Sequence, residues 1–234
     1  MTPEQLVSLA SKNPGRIIPA VRTKVRRNED SYELLEKQVN IDGFGAMAEV
    51  LMYHVPIKLI EVHLDDERVQ TALKYALDKE WPFIVHIEFA MPGCPYDEFM
   101  TELKTLLAQY PEHPFVLIHM GQLDNAAVQQ LIEAYDNIYF ITSASVPPPI
   151  AKVDHPWTNM FDGRNLSADW KQLMIQHPDR FILGFDMVLA DMWGRLYLYT
   201  VAIWREAIKE LPVEVAHAFA HGNAERLWHL PSVE

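Results

Sequence analysis

The chain has 234 residues, with 32 acidic side chains against 20 basic ones, a formal charge of −12 and a pI of about 5.2. Apolar residues make up 49% and charged residues 22%, which excludes a disordered chain, and the acidic balance argues against a nucleic-acid or anionic-membrane partner. No apolar run approaches the roughly 18 residues of a membrane span, the first residues lack the basic-then-apolar pattern of a secretory signal, and the single Cys94 excludes an internal disulfide framework and a cysteine-cluster zinc site, so a cytoplasmic protein is expected.

In chain order, Thr2-Pro3-Glu4-Gln5 announces a helix, with Thr2 as cap, Pro3 at the first helical position and Gln5 completing a capping box. Arg16 to Val21 reads as a short strand weakened by Pro19. A charged stretch, Lys24 to Asp30, leads to a helix from about Ser31 to Val39. Phe44 to Met52 reads as a buried strand, and the spacing of Val69, Ala72, Leu73, Ala76 and Leu77 predicts a helix starting at Asp66. Phe83 to Phe89 is a continuous apolar strand, and Asp97 to Tyr110 a helix with Phe99, Leu103, Leu106 and Leu107 on one face. Phe115 to His119 is another strand, Asp124 or Asn125 caps a helix, and Ile138 to Thr142 is a strand. The irregular stretch from Ser143 to Arg164, with Pro147, Trp157 and Phe161, has the length of a functional loop. Ser167 caps a helix, Phe181 to Asp186 is the last strand, and the chain is helical from about Met192 with a break at Leu211-Pro212.

Six strands, each followed by a helix and none joined by a hairpin signal, predict one α/β domain over residues 1–234 with a parallel sheet covered by helices. Strand counting alone favours a doubly wound sheet over a (β/α)₈ barrel, yet no glycine-rich phosphate turn is present.

Three strands end in a residue able to bind metal: His86, His119 and Asp186. The carboxyl ends of parallel strands form the active face of such folds. A lone histidine there is most simply a buried imidazole bonded to a carbonyl. Two on successive strands, with an aspartate on a third, suit zinc or a related divalent ion, with Asp186 placed to take a proton. Glu88 lies two residues after His86 and shares its face of the strand, and Glu49 lies near the end of its own strand; glutamate in an apolar run is rarely buried unpaired. His54 and His63 read as solvated loop residues, and His113 and His177 precede strands at the structural end. His217 and His221, without an H-E-x-x-H motif, read as helix-surface residues, Cys94 as an inert turn thiol, and Trp193, Tyr197, Tyr199 and Trp204 as packing residues.

Taken together and in order, these strand ends resemble the amidohydrolase superfamily, in its TIM-barrel branch of metal-dependent hydrolases and decarboxylases. The carrying segments are Pro82 to His86, Phe115 to Gly121, Ile138 to Ser143, Asp179 to Asp186, and the closing Gly222-Asn223-Ala224-Glu225-Arg226-Leu227. The resemblance implies that these strands are the fifth to eighth of a barrel, that His86, His119 and Asp186 are metal ligands, and that Asp186 is also the proton shuttle. Glu49 would stand on strand four, where some members carry a lysine or glutamate ligand; Glu88, placed by the strand period and not by the resemblance, is expected with Glu49 as a substrate-binding or additional site residue. Phe185 stands where the family often has serine. The His-x-His pair that normally ends strand one is absent, so the resemblance implies an incomplete (β/α)₈ TIM barrel with about six of eight strand–helix units. Such a barrel exposes two strand edges, and a homodimer closing the gap and a truncated gene product are both consistent with it.

The implied activity is metal-dependent hydrolysis of a C–N, C–O or lactone bond in a small-molecule substrate through a metal-activated water. The cofactor would be a divalent metal, zinc first and manganese or another next. Decarboxylation of an aromatic acid is the alternative within the same branch, and a metal-free binding module is the alternative outside it, supported by the missing His-x-His.

Overall fold

A computed structural model describes residues 2–23, 31–55, 59–146 and 156–232. The charged stretch from 24 to 30 and Pro147 lie outside the described residues. In order, the elements are α1 (Pro3–Ser11), β1 (Ala20–Val21), α2 (Ser31–Val39), β2 (Ala46–Met47), β3 (Val50–His54), β4 (Ile60–Glu61), α3 (Glu67–Lys79), β5 (Phe83–Ile87), α4 (Tyr96–Gln109), β6 (Phe115–Leu117), α5 (Asn125–Ala134), β7 (Ile138–Ile141), β8 (Phe161–Asp162), β9 (Asn165–Leu166), α6 (Ala168–Gln176), β10 (Phe181–Ile182), α7 (Arg195–Ile208), α8 (Val213–His217) and α9 (Asn223–Leu227).

The main sheet runs β10-β7-β6-β5-β3-β4, parallel throughout except for the β3–β4 pair. β1 pairs in parallel with β2, and β2 runs on into β3 after Ala48-Glu49. The six predicted strands thus stand side by side in chain order, as staves of an open barrel. Helix starts follow their caps: Thr2 and Gln5 close the capping box on α1, Asp66 accepts the Arg68 N–H, and Asp124 accepts the Ala127 N–H.

The two faces of the sheet do different work. Alternate residues Phe83, Val85, Phe115, Leu117, Ile138, Phe140 and Phe181 point outward into one large core with Phe99, Leu103, Leu131 and Trp170 of the covering helices. The intervening Val116, Tyr139 and Ile182 face inward and pack with Leu227 and Trp228, so the chain's last helix plugs the barrel interior. Asn223 fixes this plug by donating to the carbonyls of Pro178 and Phe181, each at 2.8 Å. The guanidinium groups of Arg180 and Arg226 lie 5.5 and 5.4 Å from the Tyr139 ring.

Several expectations need correction. Two antiparallel pairs occur where no hairpin signal was read: β3–β4, and β8–β9 around Gly163 at φ +62°. Phe44 to Met52 is not one strand; it breaks at Ala48-Glu49, where the ladder changes partner from β1 to β5. The last strand stops at Ile182, so Asp186 lies on the loop beyond it. Of the aromatic residues near α7, Trp204 is buried and Tyr199 exposed, because only one face of that helix meets the core, and Trp193, exposed just before the helix, donates to the Met187 carbonyl.

Gly184 passes so close to β7 that an added Cβ would lie 2.4 Å from Ile141 Cγ2. Gly184→Ala is therefore expected to lower the unfolding free energy by about 1–3 kcal/mol, read by urea denaturation. An unchanged midpoint would mean that this contact yields without strain.

Candidate active site

The site is built from strand carboxyl ends. β5 carries His86 inward, and the strand period of two places Glu88 on the same face one residue past its end. Both are buried. His86 Nδ1 lies 2.8 Å from Glu49 Oε2, held in the β2–β3 break, where the Thr23 hydroxyl donates to the Glu49 carbonyl. Its Nε2 lies 3.5 Å from Glu88 Oε1, but without the alignment of a hydrogen bond, and is a buried nitrogen with no hydrogen-bond partner. Glu88 is otherwise well held: Oε2 accepts the Val55 N–H at 2.9 Å and Oε1 lies 3.2 Å from His54 Nδ1.

β6 ends earlier than predicted, at Leu117, and the chain then makes a left-handed turn. His119, Met120, Gly121 and Gln122 have φ of 56°, 56°, 62° and 57°. For the three non-glycine residues this costs roughly 1–2 kcal/mol each. Gly121 is required there, since a Cβ would meet Leu117 Cδ2 at 2.5 Å. The turn brings the His119 ring to 4.9 Å from that of His86 and 5.1 Å from Trp157. His119 Nδ1 lies 2.9 Å from the Ser143 hydroxyl and 3.2 Å from the Ser143 carbonyl, so this nitrogen is engaged by Ser143. Nε2 faces Asp186 Oδ2 at 3.7 Å, with the aspartate side chain exposed.

Burial opposes charge on His86, yet its hydrogen bond to Glu49 and the nearby Glu88 carboxylate outweigh burial and hold its pKa above the usual histidine value. Burial, then the neighbouring His86 charge, push His119 down to about 4. Burial likewise opposes charge on Glu88, but hydrogen bonds from His54 and the Val55 N–H, with the His86 ring close by, hold its carboxyl well below the usual range. Carboxylates on both sides therefore demand positive charge at the middle of the site, carried by a proton or by a divalent ion.

The residues present fit such an ion. Glu49, His86 and His119 offer ligand atoms within 4.8 Å of one another, and so do His54, His86 and Glu88. The structure brings His86, His119, Glu49 and Glu88 together as the sequence suggested. Asp186 joins them through His119 rather than as a member of either triad.

His54 was misread as solvated. It closes β3 and sits edge-on to His86 at 4.8 Å. Its sequence signal was the same as that of His86, a histidine ending an apolar run. His63 was misread too: it stacks on Phe99 at 4.9 Å and bonds Glu102 at 2.8 Å, a pairing that raises its pKa. With Glu98 and Glu102 it forms a third group of possible ligands, apart from the first two.

A cavity of about 300 Å³ opens beside Glu49, lined also by Arg22, Thr23, Ala48, Ile84 and Ile118. A larger one, about 1020 Å³, lies at the amino ends of β6 and β7 around His113, Asn137 and Arg226, far from this chemistry.

Gln122 was not singled out in the sequence; both its amide atoms are buried without a partner, as is Ser145 Oγ. An unsatisfied buried group of this kind costs about 1–3 kcal/mol. Gln122→Met, which keeps the shape, is expected to raise the unfolding free energy by about 1 kcal/mol in urea denaturation. A loss of stability would show that the amide has partners in solution. Cys94 is half-buried, and burial, with the charges of Glu61 and Glu88, pushes its thiol up to about 11. Iodoacetamide should therefore label Cys94 only slowly at pH 8, with the rate climbing toward pH 11; fast labelling at pH 7 would mark an activated thiol.

A family model described as amidohydrolase matches residues 2–230. An uncharacterised TIM-barrel protein from Bordetella bronchiseptica is similar at 16% identity and a TM-score of 0.65, covering 98% of this chain and 72% of that one. A 2,6-dihydroxybenzoate decarboxylase from Rhizobium is similar at 15% identity and a TM-score of 0.57, covering 97% of this chain and 75% of its own. No curated protein sequence matches. The fold is TIM-barrel-like, and no helix among the described residues is long and apolar enough to cross a membrane.

Proposed function

This chain belongs to the amidohydrolase family, and we propose that it is a metal-dependent hydrolase acting on a C–N, C–O or lactone bond of a small organic substrate. The observation that carries the reading is the pair of buried histidines set among carboxylates, with a buried His86 Nε2 that makes no hydrogen bond. We assign the ion to His86 and His119, among the carboxylates of Glu49, Glu88 and Asp186 and with His54 nearby. These groups stand in for the His-x-His pair that the chain does not contain. Imidazole and carboxylate ligands suit zinc first and manganese next. A divalent ion held there would supply Lewis acidity to a water or a substrate oxygen.

The chain's own residues then divide the work. Glu49 bonds His86 Nδ1 and fixes the ring so that Nε2 is presented to the site. Ser143 does the same for His119 through its hydroxyl and carbonyl, both against Nδ1. Asp186, exposed and facing His119 Nε2, takes the proton from water at Oδ2 and returns it to the leaving group. Decarboxylation is the second reading, favoured by the Trp157 ring beside His119, which would stack an aromatic acid.

Metal analysis of the purified chain tests the proposal. Wild type is expected to hold about one divalent ion, and a His86→Ala/His119→Ala double variant none. A wild type that holds no ion after reconstitution with zinc or manganese would sink the metalloenzyme reading. Product analysis on lactones, amides and hydroxybenzoates separates hydrolysis from carbon dioxide release.

A further inference from the structure

We propose that His54 and Glu88 are ligands of the divalent ion, and that Glu49 supports the site from behind His86 without touching the ion. The inference deepens the proposed function and rests on its metal reading. Neither His54 nor Glu88 belongs to the segments that carry the family resemblance. His54 closes β3, and Glu88 stands one residue beyond the end of β5. These two strands pair in parallel, so their ends deliver both side chains to one place. Glu88 Oε1 lies 3.2 Å from His54 Nδ1 and 3.5 Å from His86 Nε2, and the three residues offer ligand atoms within 4.8 Å of one another.

These separations fit an ion better than they fit charge-assisted hydrogen bonds, which run about 2.7–2.9 Å. Two ligands each about 2.0–2.1 Å from a tetrahedral zinc stand roughly 3.3–3.4 Å apart. The two contacts of Glu88 Oε1 straddle that value, whereas His86 Nδ1 and Glu49 Oε2, at 2.8 Å, make an ordinary hydrogen bond. One ring nitrogen of His86 is therefore taken. The other, Nε2, is buried in a residue only 4% exposed and makes no hydrogen bond. With Nδ1 donating to Glu49, Nε2 of the neutral ring carries the lone pair that a metal takes.

Charge points the same way. Glu49 and Glu88 bring two negative charges to His86; a proton on that ring balances one of them, a divalent ion both. Glu88 is already aimed, since the Val55 N–H holds Oε2 at 2.9 Å and leaves Oε1 toward the two imidazoles. His54 is set edge-on to His86 at 4.8 Å. With His119 the set becomes three imidazoles and one carboxylate, a nitrogen-rich site that suits zinc. Glu49 is then the carboxylate behind a ligating histidine, a positioning residue that orients the ring and raises its basicity.

Zinc and cobalt titrations of the whole chain test this on wild type, His54→Asn, Glu88→Gln, Glu49→Gln and the His86→Ala/His119→Ala variant, with thermal melts of the metal-free proteins to confirm folding. Asparagine keeps an N–H able to bond Glu88 but is a poor zinc ligand, so His54→Asn separates ligation from support. Wild type is expected to take up about one zinc. His54→Asn and Glu88→Gln are expected to lose more than the roughly 100-fold in affinity that removing a group behind a ligand costs, and to change the visible spectrum of any bound cobalt. Glu49→Gln is expected to stay within that loss and to keep the wild-type cobalt spectrum. X-ray absorption of the zinc-loaded wild type, which needs no variant, should count three imidazole ligands. Wild-type affinity and spectrum in His54→Asn, a cobalt spectrum altered by Glu49→Gln but not by Glu88→Gln, or two imidazoles in wild type would each overturn the proposal. In those cases the metalloenzyme reading stands wherever the double histidine variant still loses the ion. A wild type that takes up neither zinc nor cobalt overturns both.

Discussion

His86 sits buried between Glu49 and Glu88, and the positive charge that those two carboxylates demand is the constraint around which the strand ends are arranged. An isolated carboxylate cannot stay ionised in such a place without a partner. Glu88 manages it through the Val55 N–H and the His54 ring, with His86 close by, and the Glu49 carboxylate pairs with His86 Nδ1. The break between β2 and β3 follows from this. A continuous strand would keep Glu49 in the ladder, whereas the break lets its carboxylate reach His86 across the barrel interior.

Stability and chemistry are drawn from opposite faces of one sheet. The outward face supplies the large core, with Phe83, Phe115, Phe140 and Phe181 nearly free of solvent against the helices. The inward face has only a small apolar cluster, completed by Leu227 and Trp228 from the last helix. The plug closes the amino end of the strands and leaves the carboxyl end open for polar groups. In a parallel sheet every strand delivers its last residue to the same end, so a histidine or glutamate placed late in each strand converges without any long-range design.

That convergence is why much of the site could be read from the residues. His86, His119, Glu49 and Glu88 each stand at or near the end of an apolar run, and a period of two fixes the face that His86 and Glu88 share, whereas His119 is brought in by the left-handed turn. The helices were legible for a similar reason: capping residues such as Thr2, Asp66 and Asp124 are local signals, satisfied by backbone N–H groups a few residues away. What escaped was set by tertiary contact. Ile60-Glu61 is too short to show a strand pattern, and it exists because β3 extends beyond the end of β1 and offers it an unpaired edge. His54 looked like loop for the same reason. Gln122 carried no periodic signal, because its position depends on a left-handed turn that glycine at 121 permits and propensity does not announce.

The left-handed turn and the unsatisfied polar atoms belong to one argument. His119, Met120 and Gln122 hold backbone conformations that cost free energy, and Gln122, Ser145 and His86 bury polar atoms without partners. All of these lie at the carboxyl ends of β5, β6 and β7. Buried polar atoms without partners also occur at His113, Asn125 and Trp204, but at the ends of these three strands they coincide with backbone strain, and the two together mark groups kept ready for something that is not part of the chain. The outward core can sustain that cost because it is independent of the inward face. Repacking the polar strand ends would change what the protein binds while leaving the helices, their caps and the phenylalanine layer where they are.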